Sequence, residues 1–179
     1  MKWRIILPST LLGGFLLFGC LNDTETTRLA VGEVEGFRPV YSQDWKSIQS
    51  LDPRPVGHLG KIYYKDSTIY VAESGWGIHV IDNSDPVNPQ RIKFLQIPGC
   101  RDIAIKGHIL YADNVTDLVA IDISDLNNIK LLKRVEGLYP EVDQTSPEAY
   151  EGYFECVDPA KGVVVAWETA TLDNPQCWQ

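Results

Sequence analysis

The sequence predicts an all-β chain: a partial, propeller-like stack of about two four-stranded blades, followed by an irregular carboxy-terminal strand segment. Three observations predict this class. The middle of the chain repeats itself: Ile69-Tyr70-Val71-Ala72-Glu73 lies over Leu110-Tyr111-Ala112-Asp113 at an offset of 41, and Ile78 to Pro86 over Leu118 to Leu126 at 40. The repeat is made of short runs rich in Ile, Val and Tyr, with no long amphipathic helix, and a period of about 40–45 residues built that way is a blade spacing. The 14 glycines and 11 prolines, against a single methionine, favour turns over long helices.

Composition sets the outer bounds. A chain of 179 residues suits about one ordinary domain. Its 44% hydrophobic content supports a packed core and excludes a wholly disordered chain. With 16 basic against 24 acidic side chains, a formal charge of −8 excludes a nucleic-acid binder, which needs a basic face for phosphates.

Residues 1–19 read as an exported leader. Lys2 and Arg4 precede the apolar run Ile5 to Phe18, which is too short to span a bilayer and suits a secretory signal. The run ends in Leu17-Phe18-Gly19-Cys20, which resembles the bacterial lipobox. That resemblance implies cleavage before Cys20, a diacylglycerol thioether on Cys20 and acylation of the new amino terminus, with Cys20 as the lipidation site. Two or more acyl chains hold a protein firmly at a bilayer. The membrane is therefore an expected partner, through lipid and not a basic patch, because removing Lys2 and Arg4 leaves the mature chain more acidic still. Residues 20–57 form the lipidated terminus and a tether. Phe37, Val40, Tyr41, Trp45 and Ile48 are able to dock part of it onto the folded body.

Residues 58–137 carry two units, each dividing the same way. Ile62-Tyr63-Tyr64 and Ile69-Tyr70-Val71 read as strands joined by the polar hairpin Lys65-Asp66-Ser67-Thr68. Ile78–Ile81 is a third strand and Arg91–Ile97 a fourth. Between them, Asn83 to Pro89 is a turn, since its prolines lack ladder donors and its Asn, Ser and Asp cap their own backbone. The second unit repeats this with Asp102–Lys106, Ile109–Ala112, Leu118–Ile121 and Ile129–Val135. At Gly77-Ile78-His79-Val80-Ile81-Asp82-Asn83-Ser84-Asp85-Pro86 and Leu118-Val119-Ala120-Ile121-Asp122-Ile123-Ser124-Asp125 the chain resembles the LVIVD repeat family. With the lipobox, the whole is similar to LVIVD-repeat surface lipoproteins of bacteria. That likeness implies β-propeller-like repeats and no general activity. Leu126 stands where the pattern has proline.

Residues 138–179 are an acidic loop and a last strand, Gly162–Trp167, after which Thr169–Gln179 trails off. Two and a half units cannot close a ring of about four to eight blades: either this is a short or truncated member with an open sheet stack, or its edges are covered by the amino-terminal segment or another chain. In an oxidising compartment, Cys156 and Cys177 are the candidates for a disulfide, while Cys100 reads as a small buried residue.

No catalytic constellation, zinc spacing or cofactor loop is present, so neither a catalytic residue, a metal nor a cofactor is expected. Asp82, Asp85, Asp122 and Asp125 cap turns and supply too few oxygens for calcium. Asn114-Val115-Thr116 is a glycosylation sequon by letter only, and the acidic Glu148, Glu151 and Glu155 read as solvated. Trp76, flanked by Gly75 and Gly77, is the one feature above background, a loop aromatic suited to partner contact or else folded back on its own blade. The function expected is a lipid-anchored extracytoplasmic module, at the outer membrane or cell surface, that binds a protein or glycan or acts as a scaffold. Its contacts would lie on Gly75–Gly77 and Asn114–Asp117. The alternatives are an enzyme with a site in the blade loops and a truncated, non-functional propeller remnant.

Overall fold

The computed structural model of the protein describes residues 32–139 and 144–179; Cys20 and the leader lie outside them. The chain runs β1 (Glu33–Ser42), β2 (Gln49–Leu51), β3 (Leu59–Lys65), β4 (Thr68–Glu73), β5 (Gly77–Asp82), β6 (Gln90–Gln96), β7 (Ile103–Lys106), β8 (Ile109–Asn114), β9 (Asp117–Asp122) and β10 (Lys130–Val135). After the acidic loop come β11 (Tyr153–Phe154), β12 (Val163–Asp173) and β13 (Cys177–Trp178). Among the described residues the fold is all-β, in three sheets, and none of them closes on itself.

The two repeat units each fold into an antiparallel sheet. The first has the order β2-β6-β5-β4-β3 and the second β10-β9-β8-β7. Period-two alternation puts Tyr70, Ala72, Ile78, Val80 and Leu95 of the first sheet on one side. They pack into a single core with Leu110, Ala112, Val119 and Ile121 of the second. Tyr63 ties the facing strands β3 and β7 by donating its hydroxyl to the carbonyl of Ile105 at 2.8 Å. The turns after β5 and β9 are built as their residues dictate: Asp82 and Asp122 accept from the backbone N–H of Ser84 and Ser124, both at 2.9 Å. These contacts hold both carboxyls below the usual range. Asp85 and Asp125 likewise cap Val87 and Asn127, so Leu126 in place of proline leaves the turn unchanged.

Two expectations need correction. The first repeat sheet has five strands, not four, because Gln49–Leu51 pairs with β6. The stretch around Phe37, Val40 and Tyr41, expected to dock, does so as a ten-residue strand, Glu33–Ser42. The tail does not trail off after Thr169: β12 continues to Asp173, pairing with β1 along its length, and β13 follows. Gly36 and Pro39 broke the strand signal of β1, because proline inside a run argues against a ladder. The ladder forms all the same with a partner remote in sequence: Pro39 sits opposite Trp167, and the register shifts just after it, between Val40 and Tyr41. The resulting third sheet, β12-β1-β11-β13, is mixed, with β1 and β11 parallel through Phe37 and Phe154. Cys156 and Cys177 are joined by a disulfide that fastens the end of β11 to β13, their Cα atoms 5.2 Å apart.

Candidate binding cleft

The turns between β4 and β5 and between β8 and β9 lie at the same end of the two repeat sheets, where the third sheet meets them. Gly75 is the point of closest approach. Its conformation is left-handed (φ 82°), and a Cβ built on it would sit 2.5 Å from both the Val165 carbonyl and the Ala166 Cβ of β12. Its N–H donates to the Cys100 carbonyl at 2.7 Å, and its carbonyl accepts from Gly99 at 2.8 Å. The Trp76 carbonyl accepts from Ile97 at 3.1 Å. Backbone bonds on both sides therefore hold the Trp76 loop rigid.

Beside this loop is a cleft of about 230 Å³ at the seam of the three sheets. Phe37, Trp76 and Trp167 give it aromatic walls; His58, Ser74 and Glu148 are exposed at its rim. Arg101 pairs with Glu148 at 2.9 Å and separates this cleft from a smaller one of about 150 Å³ lined by Asp113, Val115 and Tyr139. Trp76 itself is half-buried, with the Arg54 guanidinium 5.3 Å over its ring, so it lines a cleft and does not stand out from the surface. Gly75 and Gly77 are buried and give backbone approach to β12 and β6, not contact area.

The other sequence-predicted loop, Asn114–Asp117, is turned inward. Asn114 is fully buried, and its amide donates to the carbonyls of Trp45 and Pro98 at 2.8 and 2.6 Å while accepting from Arg134 at 2.6 Å. A buried side chain with its amide so engaged leaves the sequon no accessible acceptor. Asp117 is buried beside it. Burial would raise its carboxyl, but the Gly137 N–H at 3.0 Å and the Arg134 guanidinium at 2.8 Å outweigh this and hold it below the usual range. The network clamps Trp45–Lys46 across the second repeat, with Arg134 also donating to the Lys46 carbonyl at 3.0 Å.

A matching cluster in the first repeat was missed by sequence reasoning. Glu73 and His79 are buried and hydrogen-bonded at 2.7 Å; Glu73 also accepts from Arg54 at 3.3 Å and from the Gly57 N–H at 3.1 Å. His79 stands at the position of Val119, so its signal was available as a polar residue at an otherwise apolar position; Glu73 aligns with Asn114, polar in both repeats. These two clusters hold the amino-terminal segment to the repeats. Burial pushes the Asp113 carboxyl up, against the opposing N–H groups of Arg101 and Asp102. Cys100 is fully buried, and burial followed by the nearby Asp113 charge raises its thiol well above the ordinary value. In the acidic segment Glu155 pairs with Arg38 at 2.9 Å, as Glu148 does with Arg101. Among the described residues no group of three His, Cys, Asp or Glu side chains is placed to hold a metal ion.

Residues 99–136 match the LVIVD repeat. The match spans Gly99 through β10, so it covers the second repeat sheet, and the internal alignment extends the same pattern to the first. The LVIVD repeat thus supports a β-repeat protein, and it brings no activity with it. No curated protein and no solved structure matches the chain.

Proposed function

We propose that this protein is a lipid-anchored, extracytoplasmic binding or scaffold module of propeller-like β-repeats. Its contact site is the cleft lined by Phe37, Trp76 and Trp167. The observation that carries the reading is the placement of Trp76. A large aromatic is kept partly accessible on a loop pinned at Gly75, beside an Arg101–Glu148 ion pair. Aromatic faces next to a paired polar edge suit an apolar protein side chain or a sugar ring, and a rigid loop spares the cost of ordering it on binding. Arg101 and Glu148 at its edge are paired with each other, which suits them to a contact surface. Anchoring rests on Leu17-Phe18-Gly19-Cys20, and the Cys156–Cys177 bridge suits an oxidising compartment.

Two experiments test it. Metabolic labelling with a fatty-acid probe is expected to mark the wild type and not Cys20→Ala; equal labelling defeats the anchoring. Affinity recovery from intact cells is expected to lose its specific partner in Trp76→Ala, and unchanged recovery defeats the binding role of the cleft.

A further inference from the structure

The first repeat buries a titratable pair where the second has none. The side chains of His79 and Glu73 are 1% and 2% exposed and bonded Nε2 to Oε2 at 2.7 Å, whereas the aligned residues of the second repeat are Val119 and Asn114. Glu73 also accepts at Oε1 from the Arg54 guanidinium and the Gly57 N–H. Three donors thus converge on one carboxyl group and one of them is a cation, an arrangement that serves an ionised carboxylate. Nε2 of His79 then carries the shared hydrogen. Nδ1 is buried and has no hydrogen-bond partner among the described residues.

A proton taken up by the ring enters at Nδ1, and two consequences follow. The new N–H is buried without an acceptor. The imidazolium also becomes a second cation on the carboxylate that holds Arg54. The other elements packed around the pair do not offset this charge. Residues 52–57 bring Asp52 and Arg54, β6 brings Arg91 and Lys93, and His58 follows at the surface. Lys93 is matched by Asp52 at 3.4 Å, and Arg91 donates to the Arg54 carbonyl at 2.8 Å. Arg54, at 39% exposure, is the partner of Glu73 with a route to water.

We propose that His79 and Glu73 form a proton-operated latch on the strap of residues 52–57. Protonation of His79 at Nδ1 releases Arg54 and Gly57 from Glu73, and the strap lifts. Imidazole is the side chain whose charge changes between about pH 5 and 8, so the latch answers to mild acid. Its consequence for binding rests on the contact role given to the cleft. Arg54 lies 5.3 Å over the Trp76 ring and 4.9 Å over that of Phe94, so lifting the strap withdraws the cation stacked on a cleft wall and lowers the affinity of the site in acid.

Amide hydrogen exchange at Gly57, followed by nuclear magnetic resonance on the full chain without ligand, tests the latch. Protection relative to the unfolded rate at each pH is expected to fall about 10-fold or more between about pH 8 and pH 5. His79→Val is expected to keep Gly57 protected at both pH values, and His58→Gln to respond like the wild type. Glu73→Gln is expected to lose the protection already at the higher pH while its far-ultraviolet spectrum stays unchanged. Undiminished protection of the wild type in acid overturns the proposal. So does a His79→Val protein that responds like the wild type, or a Glu73→Gln protein as well protected as the wild type at the higher pH. With no ligand present, these results stand whether or not the cleft binds, and a working latch beside a cleft that recovers no partner defeats the contact role alone.

Discussion

Replacing Gly75 with alanine probes the seam between the repeats and the third sheet. Gly107 provides the control, because both residues have positive φ, 82° and 60°, but a Cβ at Gly107 meets nothing within 4 Å. Each substitution costs about 1–2 kcal/mol for the left-handed conformation and regains about 0.4–1 kcal/mol from a stiffer unfolded chain. Gly107→Ala is therefore expected to lose about 1 kcal/mol. Gly75→Ala additionally forces its methyl against the Val165 carbonyl and the Ala166 Cβ, both 2.5 Å away. Overpacking of that kind adds about 1–3 kcal/mol, for a total near 2–4. Urea unfolding by tryptophan fluorescence reads the difference as a shift in midpoint at constant slope. If the two variants lose the same stability, the seam is not tightly packed and the rigidity ascribed to the Trp76 loop is wrong.

Other consequences are more direct. Cys156→Ser or reduction by dithiothreitol is expected to cost about 3 kcal/mol for a closed loop of this length, read in the same titration, and to act on β11 and β13 first in hydrogen exchange. Asp117→Asn is expected to cost about 3 kcal/mol at neutral pH, because it leaves the largely buried Arg134 without its carboxylate. The folded carboxyl lies below the 3.8 of the free group, so its contribution is full above that pH and is lost as pH falls through the lower folded value. The variant's stability is accordingly expected to change less steeply across that acid range. Cys100 is expected to resist iodoacetamide in native protein at pH 8 and to react fully in 6 M guanidinium, as liquid chromatography–mass spectrometry would show; rapid native alkylation contradicts its burial.

The repeat sheets were legible because their information is local. Offsets of 40 and 41, alternating apolar positions and Asx-capped turns placed β3–β10 to within three residues at either end, the largest miss being the start of β3. The third sheet was not legible for the opposite reason. β1 pairs with a strand some 130 positions away, its run is interrupted by Gly36 and Pro39, and the distal half of β12, Glu168-Thr169-Ala170-Thr171, has too little apolar character to announce a strand. The Cys156–Cys177 pairing was open to inference from two cysteines flanking one strand, but the parallel pairing of β1 with β11 beside it was not. At the cleft, Trp76 stood out through its flanking glycines. Its neighbours Phe37, Trp167, Arg101 and Glu148 come from separate segments that only the tertiary fold assembles. The contact role given to Asn114–Asp117 rested on loop position alone, and the structure turns that loop inward to clamp Trp45 and Lys46.

The account's central claim is that the protein makes its contacts at the end of the repeats where Trp76 lies. A photo-crosslinking residue placed at exposed Ser74, beside the cleft, and separately at exposed Asn88, in the turn at the opposite end of the first sheet, tests that claim on intact cells. The account predicts a discrete adduct from position 74 that is lost on Trp76→Ala, and none from position 88. Adducts from position 88 alone, or an adduct at position 74 unaffected by Trp76→Ala, would contradict it.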